Sequence, residues 1–288
     1  MSVTSFLEQN QSAFTRVDLV AVIAIVLVLG AMTFPLRGDY ESDNAKLICH
    51  TNMRQLVRAM HLYSMDNKGF LPPNIDDAAL GRTWVNGYMS STFSSDVTNT
   101  TLLQNPASSL LAIYLDRRAR PFKCAADQSS VTLGGVRFPR ARSVSMNCAV
   151  GTDSRAANPT DPVSGAWLDG NHTHTANKTW RCFSKMSDFV RPIPSQVYMF
   201  LDEHPDSIND GLFGVVGPGP LSQKRWIDWA ASYHNGGGGF GMADGSVLIH
   251  NWVVPIGSSL NLPPLNNATL QDLNWLSLHT TAPITDQP

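Results

Sequence analysis

The chain has 288 residues, of which 43% are hydrophobic and 15% charged, and its formal net charge is -2. This composition excludes collagen-like and wholly disordered chains, and the length allows one large domain or two ordinary ones. A sequence pI near 6.4 and the lack of a basic cluster argue against nucleic acid as the main partner. A mean hydropathy near neutral excludes a polytopic membrane protein but leaves room for a single span.

The first predicted element is an apolar helix. The run from Val17 to Leu36 contains one ionisable side chain, Asp18. A helix of this length covers roughly 30 Å, the thickness of the hydrocarbon layer of a bilayer. A cleaved signal peptide is the alternative, but the run exceeds the usual apolar region of about 7–15 residues. We therefore predict a transmembrane helix over residues 14–36.

A second helix is predicted over residues 37–66, and it is amphipathic. Pro35 and Gly38 indicate a break between the two helices. At 100° per residue the apolar side chains of the second helix fall on one arc, which indicates packing on a soluble head. These side chains are Ala45, Ile48, Cys49, Met53, Leu56, Ala59, Met60 and Tyr63.

Residues 67–288 are predicted to form a globular head. The predicted elements are strands at Val197–Leu201, Leu212–Val216 and Phe240–Trp252, with short helices at Leu102–Leu115 and Leu270–Leu278. Asp244 and Gly245 divide the last strand segment into a β-hairpin, since Asp-Gly is a strong turn signal.

The sequence AFTRVDLVAVIAIVLVLG resembles the processing and methylation segment of type IV prepilins and type II secretion pseudopilins. In that family a prepilin peptidase cuts before a phenylalanine, here Phe14, and the new N-terminus is methylated. The resemblance implies a leader over residues 1–13 that is removed between Ala13 and Phe14. It also implies that Asp18 pairs with the terminal ammonium group of a neighbouring subunit during assembly. Ala13 and Asp18 stand where the family has glycine and glutamate.

The resemblance continues through the head, to large pseudopilin-like proteins of the Planctomycetes, Verrucomicrobia and Lentisphaerae. The matching segments, in that family's order, are CHTNMRQLVRAMHLYSMDNKGFLPP, PFKCAADQ, ARSVSMNCAVG, DEHPDSINDG and WAASYHNGGGGFGMADGSVLIHNW. The last segment contains the family's His-x9-Asp-Gly signature at His234, Asp244 and Gly245. The resemblance implies an α+β, pilin-like fold. In it a long N-terminal helix, transmembrane and then amphipathic, packs on an antiparallel sheet with an enlarged, loop-rich head.

We predict a structural role for this signature. Nine residues separate His234 from Asp244, enough for the chain to turn and return beside itself. His234 would then bond to the Asp244 carboxylate or to the turn at Gly245, and would hold the glycine run Gly236–Gly239 in place. A metal site and catalysis are the alternatives.

Acidic residues are concentrated in one loop, at Asp202, Glu203, His204, Asp206 and Asp210. The loop does not match an EF-hand, and Asx turns that cap backbone amides are one interpretation. A divalent cation is another, with calcium the expected ion, because some pseudopilin heads carry calcium in an acidic loop. Zinc held jointly by His204, His234 and Asp244 is a third. His172 and His174 are predicted to lie in an exposed loop, and no cofactor is firmly implied.

The resemblance also leads to an expectation for the four cysteines. Four cysteines in an exported, oxidised head permit three pairings. Cys49 and Cys124 lie in segments that match the family, whereas Cys148 and Cys182 stand where the family pattern needs no cysteine, which suggests that they were acquired together as a pair. We therefore expect disulfides Cys49–Cys124 and Cys148–Cys182.

The function implied is structural rather than enzymatic. The chain is expected to insert in the cytoplasmic (inner) membrane, with its head periplasmic or extracellular. It is expected to assemble into a type II secretion pseudopilus or a type IV pilus-like filament. Its partners would be prepilin peptidase, other pilin or pseudopilin subunits, and the membrane. The alternative is a membrane-tethered extracytoplasmic glycan-binding protein or enzyme, which a deep pocket of titratable residues would favour.

Overall fold

The computed structural model describes residues 15–76, 81–90, 95–220, 223–257 and 264–284, without the side chains of residues 31–43. The α-helices in these ranges are α1 (Arg16–Asp66), α2 (Thr101–Gln104) and α3 (Asn267–Leu278). Short 3-10 helices lie at Ser95–Thr98, Ala112–Leu115, Arg120–Phe122, Met186–Asp188 and Pro194–Gln196. The predicted helix Leu102–Leu115 is therefore wrong, because α2 is a single turn that ends at Gln104. The predicted C-terminal helix corresponds to α3.

Within the described residues, seven strands form two separate sheets. They are β1 (Ser130–Leu133), β2 (Val136–Pro139), β3 (Val144–Asn147), β4 (Tyr198–Asp202), β5 (Leu212–Phe213), β6 (Gly237–Met242) and β7 (Val247–Asn251). The first two form an antiparallel hairpin, and the rest form a sheet in the order β5-β3-β4-β6-β7. The short β5 runs parallel to β3, whereas the other neighbours are antiparallel. The main sheet is therefore mixed, and the expected antiparallel sheet is wrong.

The N-terminal helix differs from the prediction. α1 is one helix from Arg16 to Asp66, without the break expected near Pro35. Nowhere in the described parts of the chain is a helix both long enough and apolar enough to cross a membrane. This finding overturns the transmembrane helix over 14–36, the pilin-like fold class that required it, and the location in the cytoplasmic membrane.

The chain divides into two compact units, the first up to Asn44 and the second from Ala45 to Pro288. Within the second unit, the last turns of α1 contribute to the core as their periodicity predicts. The buried side chains are Cys49, Met53, Leu56, Val57, Ala59, Met60 and Tyr63. The histidines at the edge of this face bond to the β6–β7 hairpin: His50 Nε2 lies 3.2 Å from Val247 O, and His61 Nε2 lies 2.9 Å from Ala243 O.

The glycine-rich segment lets β6 lie close to α1. A Cβ atom at Gly241 would lie 2.6 Å from Val57 Cγ2 and 2.9 Å from Met53 Cγ, closer than real Cβ contacts. The glycines from 237 onward are therefore part of a buried strand, and the turn before this strand consists of Asn235 and Gly236. Both of these residues have positive φ, as a two-residue hairpin turn requires.

Candidate functional site

Four polar side chains from distant parts of the sequence meet in the core. We call Cys49, Cys124, Asp202 and His234 the buried cluster. Each offers one atom of a type that binds metal ions, and the four atoms all lie within 4.8 Å of one another. The residues are 3%, 1%, 1% and 8% exposed, respectively. The cluster is therefore shielded from solvent.

Four different elements supply the cluster. Cys49 is on α1, and Cys124 follows the 3-10 helix Arg120–Phe122. Asp202 ends β4, and His234 precedes β6 across the turn at Asn235 and Gly236.

Backbone contacts hold two of these elements in place. Asn52 Nδ2 donates to Arg120 O at 3.2 Å and to Lys123 O at 3.0 Å, which fixes the segment before Cys124 against α1. His234 and Gly237 exchange two backbone hydrogen bonds of 3.0 Å, which closes the turn before β6. The cluster is thus positioned by the fold and not by one flexible loop.

The distances within the cluster match a four-coordinate site. The Cys49 thiol donates to Asp202 Oδ2 at 3.3 Å, and Cys124 Sγ lies 3.4 Å from His234 Nε2. His234 Nε2 lies 3.8 Å from the same Asp202 oxygen. Bonds of about 2.0–2.3 Å to a tetrahedral zinc ion imply ligand–ligand distances of roughly 3.3–3.8 Å. Three of the six separations have this spacing, and the other three are no longer than 4.8 Å.

The four groups also perturb one another electrostatically. The hydrogen bond with Cys124, together with burial and the Asp202 carboxylate, raises the pKa of the Cys49 thiol. The same hydrogen bond lowers the pKa of Cys124 against the effect of burial. Burial lowers the pKa of His234, but hydrogen bonds with Asp202 and Cys124 outweigh it and raise the pKa to about 9. The pKa shifts of Cys124 and His234 are thus both in the direction of the charged form of the side chain.

A Cys–His pair of this kind can activate a nucleophile, which would need access to a substrate. The polar cleft of about 640 Å³ on this unit is lined by other residues, among them Asp127, Arg140, His204, Asp206 and Tyr233. None of the four cluster residues lines it. The arrangement is thus better suited to holding a metal ion than to attacking a substrate.

The structure separates the His-x9-Asp-Gly residues. His234 contacts Cys124 and Asp202, whereas Asp244 is exposed and accepts hydrogen bonds from Ser246 N and Oγ at 2.9 and 2.6 Å. Asp244 and Gly245 form the predicted β6–β7 turn, but the predicted bond between His234 and that turn is replaced by the buried cluster.

The residues of the acidic loop do not meet at one site either. Glu203 is buried and accepts a hydrogen bond from Ser207 Oγ at 2.8 Å, and Asp210 Oδ1 accepts from Leu212 N at 2.8 Å. His204 Nε2 lies 3.0 Å from Gly257 O, and Asp206 N donates to His204 Nδ1 at 3.2 Å. Among the described residues only Asp202 of this loop joins a group with metal-binding geometry. The loop therefore forms the turn and capping contacts of the first interpretation, and the calcium and joint zinc sites are not formed.

Both expected disulfides are absent: Cys49, Cys124, Cys148 and Cys182 are all free thiols. The first pair is brought together within the buried cluster, as the resemblance implied, but without a bond. Burial raises the pKa of Cys182 to about 12, so this thiol is protonated near neutral pH.

A second group of potential ligands lies at the surface. His172 Nε2 is 2.7 Å from Asp76 Oδ2, and His174 contacts the His172 ring edge-on with ring centroids 5.0 Å apart. Both histidines are exposed, as predicted. The His172 ring stacks on Trp167 with centroids 4.7 Å apart, so its position has a packing explanation.

In the first unit, Asp18 has a local role at the start of α1. Thr15 N and Oγ1 donate to Asp18 Oδ2 at 2.8 and 2.7 Å, and Asp18 N donates to Thr15 Oγ1 at 3.3 Å. These bonds form a capping box, which satisfies backbone amides at a helix start. Ala13 and Phe14, the predicted processing residues, lie outside the described residues.

Comparisons of the chain with protein-family models, with curated proteins and with solved structures found no match in any of the three. A functional conclusion therefore depends on the residues and their geometry. All four cluster residues stand out in the sequence, but for three unrelated reasons. Cys49 and Cys124 form an expected disulfide pair, Asp202 belongs to the acidic loop, and His234 belongs to the His-x9-Asp-Gly signature. The signal that would have joined them is chemical: two cysteines, a histidine and a carboxylate are a zinc donor set.

Proposed function

We propose that this chain is a structural subunit of the pseudopilin type, which assembles with copies of itself through the start of α1. One observation carries the proposal. Ten large apolar side chains between Val17 and Leu29 are between 48% and 76% exposed. Apolar surface of this extent, concentrated on one segment, is typical of an interaction site.

The distribution of these side chains supports several neighbours rather than one. At 100° per residue, ten apolar positions among thirteen surround the helix on every side. A helix that is apolar all round is stable when it is buried all round. A single partner helix covers one face, so the segment fits the centre of a bundle of equivalent helices, as in a filament.

Processing belongs to the same proposal. Removal of residues 1–13 by prepilin peptidase would place Phe14 at the new N-terminus, two residues before α1 begins at Arg16. The apolar segment would then start the mature chain, and Asp18 would lie near the new ammonium group. The resemblance of the segment to prepilins supports this step.

The assembly is tested by charging the apolar segment. Ile25 is 59% exposed and Ile113, in the head, is 53% exposed, so Ile113→Glu is a matched control for Ile25→Glu. We expect the processed chain, which begins at Phe14, to form large oligomers in sedimentation velocity, its Ile113→Glu variant to do the same, and its Ile25→Glu variant to sediment as a monomer. Circular dichroism would verify that both variants fold. A monomeric wild-type chain, or equal oligomerisation of the two variants, would refute the proposal.

A further inference from the structure

We propose that Cys49, Cys124, Asp202 and His234 bind a zinc ion that fastens α1 to the sheet at Cys49. Assembly through the start of α1 requires no metal, so this site goes beyond the proposed function. Two thiolates, an imidazole and a carboxylate are all ligands of zinc, which is a borderline-soft ion. Four protein ligands without an open position are typical of a structural site rather than a catalytic one.

The geometry supports binding without rearrangement of the fold. The separations of 3.3, 3.4 and 3.8 Å fall within the range expected for the edges of a zinc tetrahedron. The second carboxylate oxygen, Asp202 Oδ1, is buried and has no hydrogen-bond partner among the described residues. A buried oxygen in that state is costly unless something satisfies it, and a cation beside the carboxylate would do so.

The glycine of β6 next to the cluster supplies the space. A Cβ atom at Gly239 would lie 2.6 Å from Asp202 Oδ2 and 3.8 Å from Cys49 Sγ. The absence of a side chain at this position leaves the carboxylate and the thiol free to face a common centre.

The ion would also reduce the charge that the ligands bury. In their binding forms the two thiolates and the carboxylate carry three negative charges, and zinc offsets two of them. Binding would release the thiol protons and the extra imidazole proton, because zinc ligands must be deprotonated. Without zinc, the same groups form the hydrogen-bonded network described above, and this network is the competing explanation.

The structural effect follows from the distances along the chain. The Cys49–Asp202 contact joins residues 153 positions apart, and the Cys124–His234 contact joins residues 110 positions apart. An ion bound to all four joins segments that are far apart along the chain, so only the folded form holds the complete site, and binding shifts the equilibrium towards that form. Zinc is thus expected to raise the melting temperature of the protein.

The first test measures metal directly on the full-length protein, purified with zinc present and then dialysed. Elemental analysis by mass spectrometry should find one zinc ion per chain in the wild type and in Cys182→Ser. We expect loss of that zinc in Cys49→Ser and Cys124→Ser. Cys182→Ser is the control, since it removes a partly buried thiol outside the cluster.

The second test needs no substitution, so it holds even if the variants fail to fold. Wild-type protein loaded with Co²⁺ should show the visible bands of tetrahedral cobalt and the near-ultraviolet bands of thiolate ligation. A strong chelator should abolish both and lower Tm, and zinc should restore Tm. Wild-type protein that binds no zinc in excess metal would overturn the proposal. So would equal zinc in Cys49→Ser and Cys182→Ser, or a Cys49–Cys124 disulfide found by counting thiols in denaturant.

Discussion

Gly239 on β6 lies directly beside the Asp202 carboxylate, so that a Cβ atom at position 239 would lie 2.6 Å from Oδ2. Real Cβ atoms do not approach an oxygen this closely, and one of the two groups would have to move. The backbone at 239 is fixed by its pairing with Ile249 on β7. The carboxylate is therefore the group that would shift.

The first prediction concerns this contact. Gly239→Ala should weaken zinc binding by about 10-fold or more, the scale on which outer-shell changes act at metal sites, although all four ligands remain. Competition with a chromophoric chelator would measure the affinity. Gly257→Ala is the control, because a Cβ there meets nothing within 4 Å. Equal affinities in the two variants would argue against Asp202 as a ligand.

The second prediction concerns the contact between β6 and α1. Gly241→Ala should destabilise the protein by about 1–3 kcal/mol, as overpacking does in a close-packed core, because the new methyl group would collide with Val57 and Met53. Urea unfolding would measure the loss. Val57→Ala removes the colliding methyl groups, so the double variant should lose less than the sum of the two single variants. If the two losses of unfolding free energy simply added in the double variant, β6 and α1 would not be in steric contact at these positions.

The third prediction separates two roles of Asp18. Asp18→Ala removes both the capping acceptor for Thr15 N and the charge, whereas Asp18→Asn keeps an acceptor oxygen without charge. We expect both variants to lose assembly, since pairing with a neighbour's ammonium group needs the charge, and only Asp18→Ala to lose helicity as well. Sedimentation velocity and far-ultraviolet circular dichroism would report the two effects. Asp18→Asn that assembles like the wild type would leave Asp18 with a capping role alone.

The fourth prediction concerns processing. Protein isolated from cells that contain prepilin peptidase should begin at a methylated Phe14, as intact-mass measurement would show. The same gene expressed without the peptidase should give a chain that retains residues 1–13. Retention of these residues in both hosts would contradict the processing proposal.

Much of the architecture could be predicted from local patterns. The apolar arc of α1 from Cys49 to Tyr63 is buried, and the Asp244-Gly245 turn joins β6 to β7. Both signals are contained within a short window of sequence, where helix periodicity and turn chemistry act. The helix predicted at Leu102–Leu115 is wrong because this segment has no such periodicity, and nothing in its sequence distinguishes a helix from a series of turns.

The buried cluster could not be predicted in this way. Asp202 had to be assigned either to an acidic loop or to the end of a strand, and only the sheet order places it beside His234. Likewise, Cys124 meets His234 because the segment after Phe122 packs against α1. Contacts between residues more than 100 positions apart depend on the whole fold, and a single sequence does not record them.

The fifth prediction concerns pH. Burial raises the pKa of Asp228 to about 8, against the hydrogen bond from Gly214 N at 2.6 Å, and the Asp210 and Asp76 carboxylates raise it further. The unfolded chain releases this proton near pH 4. Between these values the folded state holds a proton that the unfolded state has lost, so stability falls as pH rises from about 4 to about 8.

Asp228→Asn should remove this contribution, which is at most about 1.4 kcal/mol per pH unit. Urea unfolding at several pH values in this range would compare the slopes of wild type and variant. Asp244→Asn, at an exposed position, serves as the control and should keep the wild-type slope. Identical slopes in all three proteins would show that Asp228 ionises freely in the folded state.

Strands that the ribosome makes long after α1 cover part of this helix in the folded protein, and this order matters during translation. Translation delivers the helix first, but its partners Asp202 and Gly241 follow about 150–190 residues later. Until the ribosome has passed Met242, the contact of β6 with the apolar face around Met53 and Val57 cannot form. The nascent chain therefore carries two apolar surfaces on one helix, the segment Val17–Leu29 and the incompletely covered face from Cys49 to Tyr63. Apolar surface exposed in this way during synthesis favours aggregation.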